Sequence, residues 1–224
     1  MPMLFEVRAA PPFMKNGFIL ACEQTREGVL IDPGDEVDDL LDIIQARKLS
    51  IKYILLTHAH IDHIIGVDAA RDALKAPVGL HRDDLELYSR AVEQGQMFGF
   101  RVDQPAPVDF FYRDGDGDGD SEALKFGQYE VRTHHTPGHS PGGVCLQVGR
   151  AGDPTHGNLL IVGDTLFAGS IGRTDLPGGD LDVLLESIRG VLFPFGDDAI
   201  VWPGHGPKTT IGQERRTNPF LAKR

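Results

Sequence analysis

The stretch YILLTHAHIDHIIG, residues 53–66, constrains this chain more than any other. Residues 53–56 form a continuous apolar run, as expected of a strand covered on both faces rather than one with a solvated side. His58, His60, Asp62 and His63 then fall within six positions, in a chain with nine histidines among 224 residues. Histidine and carboxylate donors suit Zn, Fe, Mn or Co, and the absence of a nearby cysteine argues against a tetrahedral thiolate site. A ligand cluster at the C-terminal end of a strand is where α/β proteins place their sites. Four donors on one short loop crowd a single ion, so the hexad alone leaves one ion and two ions both open.

Strand-like and helical patterns alternate around this cluster. FILACEQ and GVLIDPG read as two strands joined by a charged turn, and residues 35–48 carry Val37, Leu40, Leu41 and Ile44 at helical spacing. HIIGVDAARDALK and RDDLELYSRAVEQ read as helices flanking the short strand VGLH. LKFGQYEVRTHH, GGVCLQVG and NLLIVGDTLF read as strands, residues 180–192 as a helix, and AIVWPGHG as a last strand. No internal repeat interrupts the alternation, which implies a layered α/β domain with helices outside sheet. Residues 99–124 break the pattern, with Pro105, Pro107 and the tract DGDGDGD, and read as a surface loop or lid. Asp114, Asp116, Asp118 and Gly119 match the start of an EF-hand loop, but its twelfth position is Lys125 instead of a bidentate Glu and helical flanks are missing. The tract is therefore read as solvated loop.

Composition bounds the partners. The length suits one domain over residues 1–224, and no apolar run approaches the roughly 18 residues of a membrane span. The N-terminus lacks a basic segment followed by an apolar stretch, so a cytoplasmic protein without membrane association is expected. A net charge of −11 disfavours nucleic acid, which is bound through clustered Lys and Arg. Cys22 and Cys145 sit in apolar, strand-like stretches and are read as small buried residues.

Three later stretches place a ligand-type residue beside glycine at a strand-to-turn junction: TPGHS with His139, VGDTLF with Asp164 and PGHGP with His205. Glycine there lets the backbone turn tightly or approach a ligand closely. THAHIDH, TPGHSPGG, VGDTLFAGSIGRTD and PGHGPKTTIG together resemble the metallo-β-lactamase fold hydrolases, and within them the glyoxalase II-like thioesterases. The resemblance spans nearly the whole chain. It implies a four-layer αββα sandwich of the α/β class with a dinuclear site. His58, His60 and His139 would hold one divalent ion, Asp62, His63 and His205 the other, and Asp164 would bridge them. Zinc is the first expectation for both ions, with iron or manganese open. Asp62 and Asp164 would serve catalysis with a metal-bound hydroxide, and two ions can share that hydroxide while polarising the carbonyl it attacks. The implied reaction is hydrolysis of a small-molecule thioester of the S-acylglutathione type.

Weaker features are read alongside. Arg173, in GSIGRTD, stands where glyoxalase II-like enzymes carry a basic residue for a substrate carboxylate, with Asp175 as its alternative partner. His134 and His135 alternate faces of one strand, so at most one points toward the site and supporting roles are expected. His81 and His156 are expected at the surface. Few residues follow His205, so the C-terminal helical domain that binds glutathione in fuller relatives is not expected. Two other functions compete: a persulfide dioxygenase using one iron on the same fold, and a non-catalytic metal-binding module. The PGHGP ending favours the hydrolase, and retention of every ligand argues against the module.

Overall fold

The structure, a computed structural model, describes residues 3–113, 123–153 and 157–221. The DGDGDGD tract and His156 lie outside the described residues. Packing separates the chain into two compact units, Met1–Tyr112 with Phe126–Gln128, and Arg113–Lys125 with Tyr129–Arg224.

The first unit holds β1 (Met3–Ala10), β2 (Lys15–Cys22), β3 (Glu27–Ile31), β4 (Ser50–Leu55), β5 (Val78–Leu80) and β6 (Phe110–Phe111), hydrogen-bonded in that order. β1, β2 and β3 are antiparallel, and β3 through β6 run parallel. Parallel neighbours need crossovers; α1 (Val37–Ala46) supplies the first, and α2 (Ile61–Ile64) with α3 (Val67–Leu74) the second. Ile19, Ala21, Leu30, Ile54 and Leu80 pack with Leu40 and Ile44 of α1 and Val67 and Ala70 of α3 in one core. Phe18 and Leu20 on the opposite face of β2 are equally inaccessible, which accounts for a strand that reads as an unbroken apolar run.

Two readings shift. Residues 61–74 form two helices rather than one, parted where the Gly66 amide donates to Pro33 O at 3.0 Å. A Cβ on Gly66 would stand 2.8 Å from that same oxygen, so glycine admits the close approach. Residues 82–97 likewise divide, into a 3-10 turn (Arg82–Asp84), α4 (Leu85–Ser89) and α5 (Ala91–Met97), with Arg90 between at φ −102°, ψ 22°.

The second unit contains the sheet order β14-β13-β10-β9-β8-β7, with β7 (Leu124–Phe126), β8 (Tyr129–His135), β9 (Val144–Arg150), β10 (Leu159–Ile161), β13 (Ile200–Trp202) and β14 (Thr209–Thr210). A small hairpin, β11 (Leu166–Phe167) and β12 (Ser170–Ile171), stands apart. α6 (Leu181–Ser187) begins at Asp180, whose carboxylate accepts from Val183 N at 3.0 Å, and runs into a π-helical turn (Ile188–Leu192). Leu184, Ile188 and Leu192 pack with Cys145, Leu160 and Val201 of the sheet.

Several elements were not expected: β1, paired along its length with β2 from Met3↔Cys22 to Ala10↔Lys15; the short strands β12 and β14; and α7 (Ile211–Thr217), capped by Thr210, which accepts from Gln213 N. The loop reading of residues 99–124 is corrected at Phe110–Phe111, which pair with β5 as the edge strand β6. Among the described residues, no helix is long and apolar enough to cross a membrane.

Candidate metal centre

In the first unit the strand β4 ends at Leu55 and hands the chain to the loop that carries the hexad. That loop is held by side chains far away in sequence. Leu56 N donates to Tyr112 Oη at 2.8 Å, Thr57 N to Asp32 Oδ1 at 2.7 Å, Ala59 N to Asp84 Oδ2 at 2.9 Å, and Ile61 N to Gln94 Oε1 at 3.0 Å. Gln94 Nε2 returns a bond to Ala59 O at 3.0 Å. With its amides satisfied, the loop projects four donors: the rings of His58 and His63 stand 4.0 Å apart between centroids, those of His58 and His60 4.8 Å. His60 is the N-cap residue of α2, and Asp62 and His63 lie in the helix itself.

The ring orientations are imposed. Asp32, fully buried, accepts from Thr57 Oγ1 at 2.6 Å and from His63 Nδ1 at 2.9 Å, while His58 Nδ1 lies 3.1 Å from Thr57 Oγ1. Occupying Nδ1 fixes the tautomer and leaves Nε2 as the donor toward a metal. His63 Nε2 lies 3.7 Å from Asp62 Oδ2.

The second unit assembles its own donors. Gly138, at φ +123°, lets the TPGHS turn press on the start of α6, where Asp180 N donates to Gly138 O at 2.8 Å. His139 Nδ1 pairs with the main-chain oxygen of Arg173 at 2.8 Å, again freeing Nε2. The turn after β10 presents Asp164, and Gly204 N bonds Gly163 O at 2.8 Å, joining that turn to the one carrying His205. Asp164 Oδ2 lies 3.6 Å from both His139 Nε2 and His205 Nε2.

These spacings test the fit to a metal. Two ligands about 2.0–2.1 Å from one tetrahedral ion stand about 3.3 Å apart. Separations of 3.6 and 3.7 Å are close to that value and too long for strong hydrogen bonds. Three donors so spaced can converge on one ion, or the carboxylate can be shared between two. Nearby, burial above all, then Glu36 and Asp62, raises the Asp35 carboxyl above the ordinary carboxylate range, with Lys15 pulling against them.

Other residues are placed as follows. Arg173 forms a bidentate pair with Asp175, Nε–Oδ1 2.7 Å and Nη2–Oδ2 2.8 Å, which holds the Asp175 carboxyl down at about 2. His134 Nε2 meets Gln147 Oε1 and His135 Nε2 meets Pro141 O. His81 corrects the surface expectation: it is 2% exposed, directly after β5, where its Nδ1 caps the following turn by accepting from Asp83 N. Cys22 and Cys145 are free and buried; burial alone pushes the Cys145 thiol far up. At Cys22 burial is outweighed by backbone hydrogen bonds, chiefly from Thr25, which bring the thiol down to about 7.

Sequence reading missed Asp32, Asp84, Gln94 and Tyr112. Asp32 carried one signal, its position between an apolar strand and Pro-Gly in GVLIDPG. The others act across separations of 25 to 56 residues, where no local pattern points to them.

Sheets flanked by helices, each unit closing a set of histidine and aspartate donors at strand ends, define a metallohydrolase architecture. The chain belongs to the metallo-beta-lactamase superfamily, whose family model matches residues 11–205. It is 36% identical over 222 residues to the hydroxyacylglutathione hydrolase GloC of Haemophilus influenzae, covering 98% of each chain. Among solved structures it resembles the BLEG-1 B3 metallo-beta-lactamase (TM-score 0.86, 36% identity, 98% of this chain and 100% of that one). It also resembles TTHA1623 in a di-iron-bound form (TM-score 0.79, 38% identity, 96% and 100%). The protein is thus a hydrolase-type enzyme of that superfamily with a histidine and aspartate metal-binding cluster.

Proposed function

We propose that the protein is a dinuclear metal-dependent thioesterase acting on S-acylglutathione-type or related small thioesters. The observation that carries the reading is Asp164 Oδ2, equidistant at 3.6 Å from His139 and His205. A residue so placed is suited to two ions, and the likeness to GloC over nearly the full length supports the thioester class. His58, His60 and His139 would hold one ion, Asp62, His63 and His205 the other, with Asp164 shared. Zinc suits these donors, and the di-iron form of a relative supports iron as well.

When bound, the two ions supply Lewis acidity that makes water a nucleophile near neutral pH and polarises the acyl carbonyl. Asp62, with a side chain 14% exposed, orients the attacking water and accepts its proton at a carboxylate oxygen. Asp32 and the Arg173 carbonyl keep His63 and His139 in the tautomers that bind metal. The Arg173 guanidinium, 55% exposed and held by Asp175, receives a substrate carboxylate in exchange for that partner.

The test is metal analysis of the purified protein followed by turnover of S-lactoylglutathione, a panel of other acyl thioesters, and a β-lactam for comparison. Two ions per chain and thioester turnover are expected. A fully metallated protein that hydrolyses no thioester sinks the proposal; one iron per chain with oxygen uptake on glutathione persulfide replaces it by the dioxygenase.

A further inference from the structure

Lys15 and Glu36 make an ion pair that the hydrolysis does not use. Nζ and Oε1 are 2.6 Å apart, and the side chains are 1% and 0% exposed. Glu36 Oε2 is buried with no hydrogen-bond partner among the described residues. An apolar pair of similar volume would avoid the desolvation that these charges incur, so stability alone is a poor reason for their presence.

What the pair grips is more informative. Lys15 Nζ also donates to the main-chain carbonyl of Asp32, and Glu36 Oε1 accepts from Gly34 N at 2.9 Å. Both bonds fall on the turn 32–36, which starts with Asp32 in the left-handed region at φ +48°. A non-glycine residue held there needs its surroundings to impose it.

That turn is the seat of α2. Pro33 O receives Gly66 N just beyond the helix. Gly34 is wedged so closely that an added Cβ would overlap Asp62 O and come within 2.6 Å of Lys15 Cε. The Asp32 carboxylate holds His63 directly and reaches His58 only through the Thr57 hydroxyl. The turn therefore bears directly on Asp62 and His63, ligands assigned to one ion of the two.

We propose that the buried Lys15/Glu36 pair is a positioning device for the ion assigned to Asp62, His63 and His205, setting its affinity through the turn 32–36; this rests on the two-ion reading above. Neither residue is a ligand or touches substrate.

Chelator competition on the full chain resolves the two affinities without reference to activity, and the Co(II) absorption spectrum reports the coordination of each. Lys15→Met/Glu36→Met removes both charges together, so the metal-free melting temperature is expected to stay near the parent's. One ion should keep parent affinity and the other weaken about tenfold or more, the range typical of supports behind metal ligands. Glu36→Gln, which keeps an acceptor for Gly34 N and Lys15, should restore most of that affinity. If the double variant does not fold, Glu36→Asp, which keeps the charge and retracts the carboxylate, is read by the same criterion. Unchanged affinity for both ions, or equal loss of both, overturns the inference. A parent protein that binds only one ion overturns the two-ion reading as well, so the two failures are distinct.

Discussion

At the residue scale, the hexad divides its donors between two proposed ions, and single replacements separate them. His58→Ala and His63→Ala should each lower metal stoichiometry, through different ions, as read by elemental analysis and Co(II) spectra. Loss of the same ion by both would favour a mononuclear site. Asp35 gives a pH signature. Burial and nearby carboxylates raise its native pKa above the unfolded value, so the native state keeps a proton that the unfolded state has released. Stability therefore falls as pH rises through the region just above the ordinary carboxylate range, and the deficit persists at neutral pH. Metal-free Asp35→Asn should melt higher than the parent at pH 7, with the difference fading near pH 3. An equal difference at both pH values would refute this origin. Residue identity alone named the seven candidate donors. It did not name Asp32, because only the fold brings residue 32 against Thr57 and His63.

At the element scale, the donors depend on turns that leave no room for side chains. A Cβ on Gly172 would overlap Asp164 O and stand 3.1 Å from His139 Nδ1. Gly172→Ala should cost about 1–3 kcal/mol in denaturant unfolding, as overpacking does, and should weaken metal binding because it displaces two proposed ligands at once. Unaltered unfolding and metal content would show that the turn relaxes freely. The elements legible in sequence were those with a clear apolar pattern: the helices α1 and α6 by their spacing, and the strands β2, β3, β4, β5, β8, β9, β10 and β13 by their short apolar runs. β1 escaped because an edge strand with mixed exposure carries no clean alternation, and the break between α2 and α3 because it arises from the Gly66 contact with the turn 32–36 rather than from local propensity. Such a break is invisible to any window that spans only the helix.

At the scale of the whole molecule, the family match spans residues of both compact units. Metal binding then adds to folding stability. At free metal about 1,000 times Kd the gain is about 4 kcal/mol, and for a chain of this size that corresponds to roughly 8–16 °C in Tm. Removing metal with a chelator should lower Tm by that order, and restoring zinc or iron should recover it; an unchanged Tm would refute the proposed contribution of metal to stability. By itself, the sequence pointed to the fold class and to the candidate donors, since ligand chemistry resides in residue type and the strand ends are marked by apolar runs followed by glycine turns. Only the tertiary structure decided which nitrogen His58, His63 and His139 offer, that Asp164 stands evenly between two imidazoles, and that Lys15, Glu36 and Asp32 underlie α2. Those facts are distances between residues far apart in the chain, and distances of that kind exist only once the backbone has folded.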